Sequence, residues 1–509
     1  MRQEATKKRQ TILLVVNEPG EFVELLRIAI AASQRHWSIA FLFAQYGYIN
    51  LRTDRATCQR LGFSAYFPGM ILDNDHEAAL AEQREKPLKN GYYPNSLVGG
   101  LGQKDGIPRW KLLLLLLGIA PLFLFKRFFV RREKSHKNRL YLRSLLFSLK
   151  IYKRTKPAIV IFGQEFPGSP NSLITQRCNK DGVPTLIVPF AVGTPKEMVE
   201  SLHDKKDHWV KINVPNRIAA RLFPQWVNYY RGKELIRLPG QTIFLLEFLN
   251  LTPPHPWIPN SSYVTKIAVE CESMMQYYAS MRFPPSQLEL TGATYDDAIV
   301  KARRSVVEHK AKTAERLRLD PGKRWLVCAW PTNQYGSRNE PLEFRNYEQL
   351  CHAWASALQA VAAQTTFEVI ICPHPVSDIT YVRQILSLYG LHTRIATNGT
   401  LAMVCCSDLF VACVSSTIRW AISLGVPVIN YDCYEYGYTD FDAAGGVVTV
   451  THSSDFESQL MAWTKNPTTY HAALQKQEEC AGQWGIHDGE STTRIISLID
   501  RLATTQAIN

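Results

Sequence analysis

The sequence predicts an α/β protein of two domains, each built on a parallel sheet, with a cleft between them. Three observations predict it. Short apolar runs alternate with stretches of helical spacing along most of the chain, the pattern of parallel strands joined by crossover helices. Many of these runs end in polar or turn-forming residues, where ligands of open parallel sheets bind. At 509 residues and 57.9 kDa the chain is also too large for one typical domain.

The elements follow in order. Thr11–Val16 is a strand, Asn17–Glu21 the turn after it, Phe22–Ser33 a helix and Ser38–Ala44 a second strand, which makes a βαβ opening. From about residue 51 to 149 the alternation degrades, and a largely helical insertion is expected. The pattern resumes with the strand Ala158–Phe162, the loop Gly163-Gln164-Glu165, a helix through Cys178 and the strand Pro184–Val188. The Pro-rich stretch Leu251–Pro259 marks the end of the first domain, giving expected domains of residues 1–260 and 261–509. In the second, Tyr263–Val269 and Leu288–Thr291 frame a helix over Cys271–Met281, and Asp296-Asp297 opens one long helix to about Leu319. Trp325–Trp330 is a strand ending in the turn-rich loop Pro331–Gly336, followed by a helix over Glu343–Ala363. A last amphipathic helix covers Thr493–Leu502.

The 46% hydrophobic and 20% charged composition is that of a globular chain. The 11 cysteines show neither metal-ligand spacing nor a secreted-scaffold pattern, so a reducing cytosol is expected. Met1–Gln10 is polar and basic and runs into a strand, which predicts no signal peptide. The net charge of +13 is concentrated: Lys126–Lys156 holds twelve Lys or Arg against the single acid Glu133, leaving +11 of the total in that segment. It follows Trp110 and an uncharged apolar run of 14 residues, Leu112–Phe125, which contains Pro121. A span needs about 20 residues. The segment 110–156 therefore suits an interfacial element on an anionic cytoplasmic leaflet. A buried helix, a short span and a nucleic-acid surface are the competing readings, and no interleaved aromatic and basic pattern supports the last.

The most informative stretch is Phe367–Asp432. The apolar run Phe367–Cys372 ends at Pro373-His374-Pro375, and Leu409–Val414 ends at Ser415-Ser416-Thr417. A helical pattern, Ile418–Leu424, follows at once, then Gly425, Pro427 and a third apolar run to Tyr431. The first turn of a helix offers unpaired N–H groups and partial positive charge, which suit a phosphate, and Ser and Thr there add hydroxyl donors. Ser415 or Ser416 as a plain N-cap is the structural alternative. Tyr431–Tyr438, with Asp432 and Glu435, either lines a sugar pocket or packs on its own domain.

These motifs resemble the GT-B superfamily of nucleotide-sugar enzymes, in particular bacterial capsule and surface-polysaccharide glycosyltransferases. Related groups are the CDP-glycerol polymerases and the non-hydrolysing UDP-N-acetylglucosamine 2-epimerases. The resemblance rests on Leu290-Thr291-Gly292 with Asp296, Pro373-His374-Pro375, Ser415-Ser416-Thr417, Leu424–Val428 and Asp488-Gly489. It covers about residues 263–502, with a fainter echo in the first 60 residues and in Ala158–Val188. It implies two Rossmann-like domains, the second binding a nucleotide sugar and the first an acceptor. His374 would contact the donor phosphate, Ser415, Ser416 and Thr417 the diphosphate, and the loop with Thr332 and Asn333 would lie nearby, with Gly292 added from the Leu290–Gly292 motif. The resemblance implies no metal and no cofactor beyond the nucleotide-sugar substrate.

The epimerase branch has acidic residues after three strands, where this chain has Gly163-Gln164-Glu165, Pro189-Phe190-Ala191 and Val414-Ser415-Ser416-Thr417. Proton abstraction at a sugar carbon would lack its groups. Transfer to a hydroxyl needs an acceptor of the proton, and Glu165, Glu18 and Glu21 stand at predicted strand ends in the first half. Glu21 is equally a first-turn acid opposing the helix dipole. The expected function is transfer of a sugar or sugar-phosphate-like group to a polysaccharide or lipid-linked acceptor, by a cytoplasmic protein peripheral on the inner membrane face. The alternatives are a UDP-sugar 2-epimerase and a non-catalytic polysaccharide-assembly protein.

Overall fold

A computed structural model describes residues 9–44, 48, 51–68, 132–190, 193–335, 342–374, 377–396 and 399–505. In chain order the strands are β1 (Thr11–Val16), β2 (Ser38–Phe43), β3 (Ser64–Tyr66), β4 (Ile159–Phe162), β5 (Thr185–Ile187), β6 (Val227–Tyr230), β7 (Lys233–Ile236), β8 (Lys266–Val269) and β9 (Leu288–Leu290). Then come β10 (Arg324–Ala329), β11 (Phe367–Cys372), β12 (Leu409–Ala412), β13 (Val428–Tyr431) and β14 (Val447–Val450). They form a seven-stranded sheet ordered β3-β2-β1-β4-β5-β8-β9 and a five-stranded sheet ordered β11-β10-β12-β13-β14. Pairing in both is parallel throughout. Among the described strands, β6 and β7 pair antiparallel as a separate hairpin.

The central strands are continuous apolar runs because helices cover both faces. All four residues of β4 and all six of β11 are buried. In the first sheet, alternate β1 residues divide between two core layers, Ile12 and Leu14 on one side and Leu13 and Val15 on the other. The second sheet splits likewise, with Leu326 and Cys328 facing Trp354 and Trp325 and Val327 facing Ile418.

Several expectations are corrected. The domain boundary lies later than residue 260, because β8 and β9 return to the edge of the first sheet. The last helix, Ser491–Thr505, also packs its Ile495, Ile496 and Ile499 into the first domain's core. The region from residue 51 opens with a helix, Leu51–Arg60, and then β3 extends the first sheet, so it is not all helical insertion. The apolar run Leu112–Phe125 lies outside the described residues. Of the basic segment, the helix Arg132–Thr155 is described; it buries Leu145, Ser148, Ile151 and Tyr152 and exposes Arg143, Lys150, Lys153 and Arg154. The long helix after Asp296 is two, Thr294–Arg304 and Val306–Leu317, divided at Ser305.

Turn chemistry fixes the strand ends. The helix Pro19–Ser33 begins with Pro, which has no N–H to leave unpaired. Two residues on, the carboxylate of Glu21 accepts from the Asn17 backbone N–H. Gly163 at the end of β4 makes room for this, since a Cβ there would stand 2.7 Å from Glu21 Cγ. Burial pushes the Glu21 carboxyl up to about 8 from 4.5. The folded chain thus holds a proton that the unfolded chain releases, and the associated stability, complete below about pH 4.5, is lost as pH rises through about 8. In denaturant titrations at a series of pH values, Glu21→Gln is expected to flatten the fall in unfolding free energy between about pH 5 and 8, a fall of up to about 1.4 kcal/mol per unit. An unchanged slope would contradict this assignment.

Candidate functional site

Each sheet has one place where the direction of winding reverses, and crevices for ligands form there. In the first sheet the reversal lies between β1 and β4, so Asn17-Glu18 and Gly163-Gln164-Glu165 flank it. In the second it lies between β10 and β12, flanked by Pro331–Tyr335 and Cys413–Thr417. The segments that follow the strands of the two sheets meet each other. Arg419, after β12, pairs with Glu270, after β8, and the Lys196 ammonium donates to the carbonyl of Gly437, after β13.

On the second-domain side the Ser-Ser-Thr run forms a tight turn into the helix Ile418–Ser423. Ser415 Oγ lies 2.8 Å from Thr417 Oγ1 and accepts from the Thr417 N–H at 3.3 Å. Ser416 is exposed. Val414 enters the turn at φ +43°, a conformation β-branched residues avoid, and its N–H donates to Asn430 Oδ1 at 2.9 Å. The N-cap alternative is therefore only half met: Thr417 occupies the cap position without a side-chain cap bond. The hydroxyls instead brace one another around an exposed Ser416.

Thr332 and Asn333 lie in the loop after β10. Tyr434 Oη donates to the Thr332 carbonyl at 2.6 Å, and Asn333 Oδ1 accepts from the Tyr335 N–H at 3.1 Å. Tyr436 Oη also bonds the Gln334 side chain. Asp432 shapes the tyrosine loop by accepting from the Tyr436 and Gly437 N–H groups at 3.0 and 2.7 Å. Tyr434, Tyr436 and Tyr438 belong to the domain's own core, so the tyrosine loop packs on its own domain and fixes the Thr332 loop. His374 stands one strand farther out, exposed at the end of β11, and partial desolvation lowers its imidazole pKa.

The first-domain candidates separate. Glu21 is fully enclosed and occupied in starting its helix, which removes it from the cleft-facing set. Glu165 is buried at the end of the central strand; Oε1 accepts from Ser172 Oγ at 2.5 Å and its backbone N–H donates to Asn260 Oδ1. Burial raises it to about 7, with the Ser172 and Ser262 hydroxyls pulling it back. Glu18 is half-buried at the end of β1, the strand paired with β4. Gly292 has a packing reason of its own: φ is +80° and a Cβ would lie 2.1 Å from Ser491 Oγ, which sets it with the last helix rather than with the Ser-Ser-Thr turn.

Between the domains the structure adds residues that the sequence reading passed over. Both terminal Arg419 guanidinium nitrogens approach Glu270 Oε1 at 3.4 Å, with the Tyr295 ring 6.0 Å from the cation. Both side chains are buried. Burial raises the Glu270 carboxyl, Arg419 pulls it back, and Arg419 stays charged. Nearby, Asp440 hydrogen-bonds Thr194 and faces Glu197; desolvation holds Asp440 at about 6 and Glu197 well above its ordinary value. Thr194-Pro195-x-Glu197 reads in sequence as a helix capping box, which it is. Asp440-Phe441-Asp442 carries an Asp-x-Asp spacing in the sequence. Among the described residues no three His, Cys, Asp or Glu side chains gather as metal ligands. The arrangement offers hydroxyls and backbone N–H groups for an anion on one side, and a carboxyl titrating near neutrality for a proton on the other.

No protein-family model and no curated protein matches the chain. Solved structures do. UDP-N-acetylglucosamine 2-epimerase from Neisseria meningitidis, bound to UDP-GlcNAc, is 11% identical with a TM-score of 0.50, covering 96% of this chain and 100% of that one. A provisionally named UDP-N-acetylglucosamine 2-epimerase from Listeria monocytogenes is 10% identical with a TM-score of 0.50, covering 97% and 96%. The wall teichoic acid polymerase TagF, as a variant, is 10% identical with a TM-score of 0.49, covering 99% and 91%. The first two show the fold, the GT-B arrangement of two Rossmann-like domains.

Removing one partner of a buried pair leaves an uncompensated charge, which costs about 3–5 kcal/mol. Glu270→Ala is expected to lower the unfolding free energy by about that amount, and Glu270→Met with Arg419→Met to recover most of it. Denaturant unfolding of the three proteins checks this; a double variant as unstable as the sum of its parts would contradict it.

Proposed function

We propose that this GT-B-fold chain is a glycosyltransferase that binds a nucleotide-activated sugar on its second domain and transfers the sugar, or a sugar-phosphate-like group, to a glycan or lipid-linked acceptor held by the first. The observation that carries the reading is the position of the Ser415-Ser416-Thr417 turn. It sits at the second sheet's winding reversal, at a helix start, two residues from Arg419, which pairs with Glu270 of the first domain. A donor diphosphate there would meet the exposed Ser416 hydroxyl and the partial positive charge of the turn into the helix. In this reading the Thr332-Asn333 loop borders the same crevice and His374, one strand farther out, reaches toward the donor phosphate. Electrostatic stabilisation of the leaving diphosphate by such preorganised donors is a large part of catalysis in acyl and phosphoryl chemistry, and the same physics applies here.

Glu165 is the assigned base. Its raised pKa, about 7, matches the requirement that a general base be poised near the working pH. Glu18, closer to solvent, guides the acceptor. The exposed Arg143, Lys150, Lys153 and Arg154 on the helix Arg132–Thr155 give the first domain a cationic face suited to an anionic membrane surface. No described helix is long and apolar enough to cross a bilayer.

Calorimetry with UDP-, GDP- and CMP-linked sugars tests the donor side. UDP-sugars come first, because a protein of like fold was captured with UDP-GlcNAc. One class is expected to bind, and Ser416→Ala to weaken it at least tenfold with the melting temperature unchanged; no binding by any donor would overturn the reading. With the acceptor supplied, Glu165→Gln is expected to lower kcat by about 10²–10⁴ while donor binding persists. The rate of the parent should rise as pH rises through about 7, where Glu165 becomes the carboxylate. Solvent deuterium entering the sugar at C2 without an acceptor would instead identify an epimerase.

A further inference from the structure

Cys413 and Cys433 sit at the ends of neighbouring parallel strands, β12 and β13, with their sulfurs 3.3 Å apart. All eleven cysteines are free thiols. A disulfide needs about 2.05 Å between sulfurs, so a further approach of about 1.2 Å would join this pair. Its location gives the contact a consequence. Cys413 immediately precedes Val414-Ser415-Ser416-Thr417, and Val414 is already tied to β13 through Asn430. Cys433 follows Asp432, whose carboxylate organises the tyrosine loop that in turn holds the Thr332 carbonyl. A covalent link would therefore join the Ser-Ser-Thr turn on one side of the donor crevice to the tyrosine loop that braces the Thr332 loop on the other.

We infer that Cys413 and Cys433 form a reversible dithiol–disulfide couple that fixes the Ser415–Thr417 turn and thereby lowers affinity for the nucleotide donor. The bond itself does not depend on the proposed function; only its effect on donor affinity does. Cys413 is partly exposed, so an oxidant reaches it, whereas Cys433 is buried. Burial keeps the Cys433 thiol protonated, so it is placed to donate its S–H toward the Cys413 sulfur. With a hydroperoxide as oxidant, the Cys413 thiolate attacks the outer peroxide oxygen, giving a sulfenic acid and releasing the alcohol, or water from hydrogen peroxide. The Cys433 sulfur then displaces the sulfenic hydroxyl. Its proton leaves with that hydroxyl as water, the S–S bond forms, and two electrons have passed to the peroxide. A dithiol reductant reverses the step by exchange.

The test treats the full chain with graded hydrogen peroxide, maps disulfides by peptide mass spectrometry, and follows hydrogen exchange over Val414–Thr417 before and after dithiothreitol. The expected result is a Cys413–Cys433 linkage ahead of any other, slower exchange in the turn, and recovery on reduction. Cys413→Ser and Cys433→Ser should abolish all three changes. Calorimetry with the donor that binds the reduced protein should show at least a tenfold loss on oxidation. Other cysteines oxidising while this pair stays reduced would overturn the couple, and so would a linkage that leaves exchange in the turn unaltered. A linkage with the exchange change but undiminished donor affinity would overturn the switch. Failure of the reduced protein to bind any donor would count against the proposed function, while the linkage and exchange results would still decide the couple.

Discussion

One fully buried ion pair governs how the two sheets face each other. Glu270 follows β8 of the first sheet, and Arg419 lies on the short helix after β12 of the second, in direct continuation of the Ser-Ser-Thr turn. In a dry interface neither charge can be left alone, since an unpaired buried ion costs several kcal/mol. The domains must therefore meet at a geometry that keeps the guanidinium on the carboxylate, and the Tyr295 ring beside the cation narrows the choice further. A constraint at Arg419 is also a constraint two residues away at Thr417. The Ser-Ser-Thr turn and the interface between domains are held by the same helix.

The rest of the cleft follows from how burial sorts its carboxyl groups. Glu21 and Glu165 are both buried at strand ends of the first sheet, yet their surroundings differ. Glu21 is filled by backbone donors at a helix start and packed under Gly163, so its proton serves the fold. Glu165 is met by hydroxyls at the end of β4, and burial leaves it titrating at about 7. Glu197 and Asp440 form a third case, two acids brought together from different domains with both raised by desolvation.

Much of this was legible in the sequence. The strands β1, β2, β4, β5 and β10 to β13 are continuous apolar runs ending in turn residues, and the segment around His374 and Ser415–Thr417 reads correctly as strand, turn and helix. The domain boundary was not legible, because β8 and β9 return to the first sheet after a Pro-rich loop that looks like a linker. β14 is four residues behind Gly445-Gly446, too short to stand out. The β6–β7 hairpin had a usable signal in Arg231-Gly232, both at positive φ. Roles set by packing from distant elements were beyond reach: Gly292 against Ser491, Glu21 beneath Gly163, and the Glu270–Arg419 pair joining positions 149 residues apart.

The central claim is that the strand ends of the second sheet receive the donor's diphosphate. Hydrogen exchange with and without a saturating nucleotide sugar, read peptide by peptide, tests it most directly. Protection should concentrate in Val414–Thr417 and Pro331–Tyr335, with little change at Asn17–Glu21. Protection confined to the ends of β1 and β4, with the Ser-Ser-Thr turn exchanging as before, would contradict it.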